Sequence, residues 1–297
     1  MPGEAGKGPI VDELRTLLAP RAKGLIMTFW GDMLLPFGGR IWLGSLVQVL
    51  TPLGLDERSV RTAVSRLVTE GWLATETVGR RREISMPEPA LDELRAVQRR
   101  MYSRRQIDWD GHWTIVVVRP STPSRREALR RELTWQGYAG LSPNTMIHPR
   151  QGWSELSERL AARGLDGEIA HVFSARSLRE VPTPACLWPL EKIEASWKQL
   201  HTLVGRVVAS PPLGDDAAFA VRLLLVHALR LVVLRDPALP DVFHPDNWPE
   251  PAARSDFLDV YQDLSDAAHR HLEHSLRLAD DTRPSFRPAE FRWRLAH

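Results

Sequence analysis

The chain has 297 residues, of which 43% are hydrophobic and 26% charged, so it is long enough for two or three domains and too apolar to be disordered throughout. Cys186 is the only cysteine, which excludes an intrachain disulfide and a cysteine-based zinc cluster and is typical of a reducing compartment. No apolar run reaches about 18 residues and no signal peptide is recognisable, so we expect a cytoplasmic protein without a membrane span.

The formal net charge of +2 is unevenly distributed along the chain. Between Arg58 and Arg105, eleven arginines stand against six carboxylates, which is a local excess of roughly +5. The C-terminal half is nearly balanced. This distribution favours a polyanionic partner that binds one end of the molecule.

The first elements read as short helices. Residues up to about Pro20 are predicted to be a flexible lead, with one weak helical turn at Val11 to Leu18. Apolar spacing predicts a helix over 25–34, which Pro36 and the following glycines end, and a second over 42–50, which ends near Pro52.

Residues 56–72 are predicted to form an amphipathic helix with Asp56 as N-cap and Gly71 just after its C-cap. Valine, alanine and leucine side chains recur on one face, whereas the other face is cationic and hydroxylic. Such a face can bind guanine edges or phosphates in a major groove, although it could also be a solvated surface. The candidate contacts are Arg58, Ser59, Arg61, Thr62, Ser65 and Arg66.

A β-hairpin is predicted directly after this helix, with its tip at Val78-Gly79. Its tip and return strand carry Arg80, Arg81 and Arg82, which are placed to contact a phosphate backbone or minor groove. A helix, a tight turn, a basic helix and a basic hairpin in this order predict a winged helix-turn-helix domain over 20–88. The combination favours DNA binding over a solvated surface.

Residues 25–73 carry a series of specific motifs: Gly31-Asp32, Gly38-Gly39, Trp42-Leu43-Gly44-Ser45-Leu46, Pro52-Leu53-Gly54 and Arg61-Thr62-Ala63-Val64-Ser65-Arg66-Leu67. On these motifs the stretch resembles the N-terminal domain of the phenylacetic-acid-degradation repressor family, the PaaX-like regulators. Residues 89–107 are then predicted to form a connecting helix with a basic, solvated face.

Residues 108–180 show the element order β-α-β-β-α-β, which predicts a ferredoxin-like domain. The segment resembles the central, Cas2-like domain of the same family through Trp109-Asp110-Gly111, Trp135-Gln136-Gly137-Tyr138 and Ile147-His148-Pro149. A metal-dependent nuclease of this fold would need a carboxylate near the end of its first strand, where this chain has Arg119. We therefore expect a scaffold or dimerisation role instead.

Residues 186–290 are predicted to be a helical C-terminal domain, which gives an α+β chain overall. Its recognisable run contains Arg222, Leu225, His227, Arg230, Asp236-Pro237, Leu239-Pro240, Pro245 and Trp248-Pro249, and it resembles the family's C-terminal domain. Arg222 and Arg230 would each need an anion if buried, either a carboxylate of the chain or the phosphates of an acyl-CoA. His227 fits a core histidine better than a ligand contact, and all three are candidate effector residues.

Together these patterns predict a homodimeric repressor of a catabolic operon that binds double-stranded operator DNA. The resemblance implies an aryl-acetyl-CoA-like effector that releases the DNA. Two alternatives stay open: a Cas2-like metal-dependent nuclease and a ligand-sensing scaffold that does not bind DNA. We expect no catalytic site, metal site or cofactor, because the sequence has no nucleophile elbow, phosphate loop or metal-ligand spacing.

Overall fold

The computed structural model describes residues 8–102, 108–119, 121–149, 153–177, 184–292 and 294. They form two compact units. Unit 1 consists of the described residues within Met1–Arg104, Lys198–Leu231 and Glu250–His297, and unit 2 of those within Arg105–Trp197 and Val232–Pro249. In the part of the chain so described, no helix is both long enough and apolar enough to cross a membrane.

Helices and strands alternate in the first two thirds of the chain, and helices alone follow. The elements are α1 (Pro9–Leu18), α2 (Ala22–Phe29), β1 (Arg40–Trp42), α3 (Leu43–Leu50), α4 (Glu57–Thr69), β2 (Ala74–Val78), β3 (Arg81–Ser85), α5 (Glu88–Tyr102), β4 (Trp113–Val118), α6 (Pro123–Trp135), β5 (Ala139–Ser142), β6 (Thr145–His148), α7 (Trp153–Ala162), β7 (Ile169–Ala175), α8 (Pro184–Leu187), α9 (Leu190–Val208), α10 (Asp215–Val233), α11 (Glu250–Ser275) and α12 (Ala289–Arg292).

The expectation of a flexible lead up to Pro20 is wrong for residues 8–20, whereas residues 1–7 lie outside the described residues. Helix α1 begins at Pro9, whose fixed φ suits a first helical position, and it buries Ile10, Val11 and Leu14. Glu13 on the same helix forms an ion pair with Arg206. The apolar stripe of α1 is short, but tertiary packing in unit 1 stabilises it.

The first long apolar run forms helix as predicted, although its end is irregular. Helix α2 continues into a π-helical turn, Trp30–Leu34, and a 3-10 turn, Leu35–Phe37. The chain then reverses at Gly38, where φ is 92°. Glycine adopts this left-handed conformation without the steric penalty of a Cβ atom.

A three-stranded antiparallel sheet follows, with the strand order β1-β3-β2. The hairpin of β2 and β3 is confirmed: Val78 pairs with Arg81, and Gly79 takes a φ of 61° in the turn. Strand β1 was not predicted. It has only three residues, and its partner β3 lies about forty positions further along the chain.

Helix α5 is not the solvated helix that the sequence suggested. Leu94, Val97, Met101 and Tyr102 are buried along one side of it. The Gln98 amide donates a hydrogen bond of 2.6 Å to the carbonyl of Gly31. The basic residues of α5 mark its outer side only.

Unit 2 contains the predicted β-α-β-β-α-β order from β4 to β7. Its four-stranded sheet has the order β5-β6-β4-β7, and all its neighbouring strands are antiparallel. This is the ferredoxin-like arrangement. The core between the sheet and α6 and α7 is apolar, and its buried members are Val116, Val118, Leu129, Leu133, Tyr138, Met146, Leu156 and Leu160.

The predicted helical C-terminal region is confirmed as α9, α10 and α11. Its residues contribute to both units, because unit 1 takes Lys198–Leu231 and unit 2 takes Val232–Pro249. Helix α10 is buried on almost every side, as its apolar run indicated.

Candidate nucleic-acid interface

Helix α4 is fixed at both ends by local hydrogen bonds. The Asp56 carboxylate accepts the backbone N–H and the hydroxyl of Ser59, each at 2.8 Å. These two bonds hold the pKa of Asp56 below its usual range. At the other end the N–H groups of Gly71 and Trp72 donate to the carbonyls of Val68 and Leu67, which is a Schellman motif. Both predicted caps are confirmed.

The two faces of α4 divide as its sequence indicated. Val60, Ala63, Val64 and Leu67 are buried in unit 1. The opposite face is exposed, and within the described part of the chain its side chains form no hydrogen bond or ion pair; they are Arg58, Thr62, Ser65 and Arg66. Two guanidinium groups and two hydroxyls are therefore available to an external partner.

Two other candidates on α4 already have partners in the chain. The hydroxyl of Ser59 donates to Asp56, so it serves the helix cap. The Arg61 Nε donates to the carboxylate of Glu57 at 2.7 Å, one helical turn away. This exposed pair contributes little to stability, but it offsets the charge of Arg61.

The three hairpin arginines differ in their surroundings. Arg80 and Arg82 are exposed and have no side-chain partner among the described residues. Arg81 is half-buried: its guanidinium lies 4.3 Å from the ring centre of Trp42 and donates to Asp281 at 2.8 Å. Alternation along β3 separates Arg81 from Arg82, because neighbouring side chains point to opposite faces of the sheet, and Arg80 lies in the turn before this strand.

The segment that follows α11 contacts one face of the hairpin, and the sequence patterns did not reveal this contact. Glu83, next but one to Arg81 on β3, is buried. Its carboxylate accepts the backbone N–H of Ala279 at 3.0 Å and pairs with Arg40 of β1. Asp281 and Ala279 thus hold one face of the hairpin, and Arg80 and Arg82 remain outside that contact.

Sequence profiles of one family match three successive parts of the chain. They are described as "PaaX-like protein" over residues 21–86, "PaaX protein central Cas2-like domain" over 106–186 and "PaaX-like protein C-terminal domain" over 188–274. The "Transcriptional repressor PaaX" of Escherichia coli (strain K12) is 33% identical over 256 residues, which is 82% of this chain and 80% of that protein. The chain belongs to the PaaX-like family.

One solved structure, an uncharacterised protein from Mycobacterium tuberculosis, aligns with 75% of this chain and 88% of its own at 22% identity and a TM-score of 0.46. The family profiles place the exposed face of α4 and the hairpin in the PaaX-like N-terminal region. The four strands of unit 2 lie within the Cas2-like region.

Arg222, one of the candidate effector residues of this PaaX-like chain, has a carboxylate partner. Its side chain is fully buried and donates to Asp32 at 3.0 Å. Arg294 is bound to the same carboxylate at 3.1 Å, and the hydroxyls of Tyr102 and Tyr261 donate to it at 2.6 and 2.7 Å. The sequence allowed two anionic partners for Arg222, a carboxylate of the chain or the phosphates of an acyl-CoA. The structure shows the carboxylate, which belongs to Asp32.

The pKa of Asp32 reflects this environment. Burial alone would raise it, but the Arg222 and Arg294 guanidinium groups and the two tyrosine hydroxyls hold the pKa below its usual range. Beside the cluster, His269 accepts a hydrogen bond from Arg222 at 3.0 Å. Burial and, second, that guanidinium lower the pKa of His269 to about 3, so the ring is neutral.

His227 is buried and bonded, as a core histidine would be. Thr28 donates its hydroxyl to the carbonyl of Gly24 at 3.0 Å, so Thr28 Oγ1 accepts from His227 Nδ1 at 2.9 Å. Burial, with a smaller contribution from Arg230, lowers the pKa of His227 to about 4.

Arg230 makes no hydrogen bond or ion pair with the described residues, and burial lowers its pKa. The crevice that it lines with Met27 and Leu94 measures about 10 Å³, room for roughly one water. A ligand role for Arg222, His227 and Arg230 stays a prediction.

Proposed function

We propose that this protein is a transcriptional repressor that binds double-stranded operator DNA through a winged helix-turn-helix. In this proposal α3 and α4 form the helix-turn-helix, and the β2–β3 hairpin is the wing. The carrying observation is the exposed face of α4, where Arg58, Thr62, Ser65 and Arg66 have no partner within the described chain. Homology to a protein named as a transcriptional repressor supports it.

The chemistry of the two surfaces suggests separate tasks. Arginine pairs with both acceptors of guanine, and serine or threonine can bond either a base or a phosphate, so α4 suits a major groove. Arg80 and Arg82 are exposed cations on a short hairpin, which suits backbone contact. Arg81 is held by Trp42 and Asp281, and we assign it to the support of the hairpin.

Regulation and assembly complete the proposal. We infer a homodimer, because repressors that read the major groove with one helix usually bind two half-sites about one helical turn apart. The effector would be an aryl-acetyl-CoA-like molecule that lowers DNA affinity, and the target a catabolic operon. Such release requires the ligand to bind more tightly to a conformation that fits the operator poorly.

Fluorescence anisotropy with labelled DNA from upstream of the protein's own operon tests the proposal. We expect saturable binding that weakens steeply with salt. The double variant Arg58→Ala/Arg66→Ala should lose roughly 10-fold or more in affinity, since each base contact is worth about 1–3 kcal/mol. Arg82→Ala should weaken binding to all sequences and reduce the salt slope by about 1.

Lys192→Ala is the matched control, because Lys192 is an exposed cation on α9. It removes one positive charge, as Arg82→Ala does, and should leave the affinity unchanged. Full affinity of the double variant would show that α4 does not contact the operator, whereas binding that no duplex saturates would refute operator recognition itself.

A further inference from the structure

Unit 1 contains a small crevice where three of its helices meet. Helix α2 contributes Met27 and Thr28 to the lining, and α10 contributes Arg230. Helix α5 contributes Gln98 and several apolar neighbours, so most of the lining is apolar. The volume of about 10 Å³ suits one species of about the size of a water molecule and excludes organic molecules and phosphate.

The guanidinium group of Arg230 is the polar group of this crevice that the chain leaves unsatisfied. Its Nε atom is buried and has no hydrogen-bond partner, and no carboxylate of the described residues forms an ion pair with it. A buried cation without a partner is costly, so such groups are normally paired with an anion. Burial lowers the pKa of Arg230, but an arginine in a protein keeps its proton and therefore its charge.

The carboxylate nearest to hand is already bound by other cations. Asp32 is the one carboxylate in the lining, and both Arg222 and Arg294 donate to it. Three guanidinium groups, with that of Arg230, therefore stand against one carboxylate. His227 does not alter this balance, because its pKa of about 4 keeps the ring neutral. A monovalent anion in the crevice would reduce the excess of positive charge.

Two side chains of the lining have hydrogens to donate to such an anion. Arg230 offers the hydrogens of its guanidinium group. The Gln98 amide has two hydrogens and donates one to the carbonyl of Gly31 at 2.6 Å, so the second remains for a ligand. The hydroxyl of Thr28 donates to the carbonyl of Gly24 and is not available. The site therefore combines one charged donor with one neutral donor.

We propose that this crevice binds a single-atom anion, chloride or the closely related bromide, between Arg230 and Gln98. The ion supplies the negative charge that Arg230 lacks, and it contacts both α5 and α10. Met27 and Met101 belong to the lining, and methionine is flexible enough to adjust to an ion slightly larger than water. The proposal concerns an inorganic ion inside unit 1 and does not depend on DNA binding.

Two measurements on the full chain without DNA test the site. Chlorine NMR detects binding directly, because the line of the free ion broadens when it exchanges with a protein site, and added bromide should reverse the broadening. Stability reports the same event. An ion that binds only the folded protein should raise the thermal midpoint by a few degrees for each tenfold increase above its dissociation constant. We expect this rise when sodium chloride replaces sodium gluconate at constant ionic strength, because gluconate is too large for the crevice.

Arg230→Met removes the charge and keeps an extended side chain. In gluconate this variant should be at least as stable as the wild type, because an apolar side chain replaces an unpaired buried cation. Its midpoint should not respond to chloride, and it should lose the line broadening. Arg230→Lys keeps the charge with fewer donors and should retain a weaker response. Arg99→Met is the matched control, because Arg99 is an exposed arginine on α5, and it should respond like the wild type.

An equal chloride response in the wild type and in Arg230→Met would overturn the site, because the effect would then come from screening at the surface. So would a wild type that is equally stable in both salts and broadens the chloride line no more than Arg230→Met does. Sulfate should stabilise all variants alike, since it acts by exclusion from the protein surface. A sulfate response that requires Arg230 would contradict a site for a single-atom ion.

Discussion

Replacing Asp32 with asparagine removes the one negative charge of the buried cluster in unit 1 while keeping the side-chain volume. The carboxylate is 2% exposed and accepts four hydrogen bonds, from Arg222, Arg294, Tyr102 and Tyr261. The amide of the Asp32→Asn variant would offer one acceptor oxygen in place of two. Both guanidinium groups would stay buried without a counter-charge.

The expected effect is large because the partners cannot reach solvent. Breaking a buried ion pair by removing one member typically costs about 3–5 kcal/mol, although replacing a whole pair by apolar residues can be neutral. Native proteins typically have a free energy of unfolding of about 5–15 kcal/mol, so this loss would be a substantial fraction of it. By contrast, Asp12→Asn breaks an exposed pair with Arg15 and should change the free energy of unfolding by about 0–1 kcal/mol.

Urea unfolding combined with hydrogen–deuterium exchange measures the difference. Exchange is needed because a chain with two units need not unfold in one step. We expect faster exchange in Asp32→Asn in α2 and α5, which carry or adjoin the cluster, and little change in unit 2. A loss of stability no larger than that of Asp12→Asn would show that the cluster does not hold these helices together.

Two further predictions concern His227 and Gly137. An unfolded histidine binds its proton near about pH 6.5, whereas the folded pKa of His227 is about 4, so protons bind the unfolded state preferentially and stability falls as the pH drops below about 7. This histidine should account for a loss of about 2 kcal/mol in the free energy of unfolding between pH 7 and pH 5. The urea midpoint of His227→Gln should therefore depend less on pH than that of the wild type. An unchanged pH dependence would contradict the buried neutral ring. Gly137→Ala should lower the thermal midpoint by several degrees, because the φ of 90° and the contact with Pro237 both oppose a side chain, and a wild-type melting curve would contradict this geometry.

The elements that could be predicted are those whose signals are local. In α4 the N-cap, the apolar stripe and the C-terminal glycine all lie within seventeen residues, and each acts on neighbours three or four positions away. The hairpin and the β-α-β-β-α-β order likewise follow from periodicity and turns. The exposed arginines of α4 could be assigned to its outer face for the same reason.

The features that were missed depend on distant partners. Strand β1 is recognisable only by its pairing with β3. The supporting role of Arg81 is recognisable only by its contact with Asp281, two hundred positions away. A signal for the buried cluster was nevertheless present. Asp32 interrupts an apolar helical run, and Arg222 interrupts another, and two such charges are buried most favourably against each other.

This pairing has a consequence for the proposed DNA-binding surface. Asp32 lies in the turn that follows α2, yet both of its cations come from the C-terminal third of the chain, Arg222 on α10 and Arg294 after α12. Without them the carboxylate would be buried and uncompensated, a state that proteins avoid by unfolding or taking up a proton. The hairpin depends on the same region through Ala279 and Asp281. Residues far outside 20–88 therefore contact both the hairpin and the turn after α2, and we expect changes in this C-terminal region to alter the proposed DNA-binding surface.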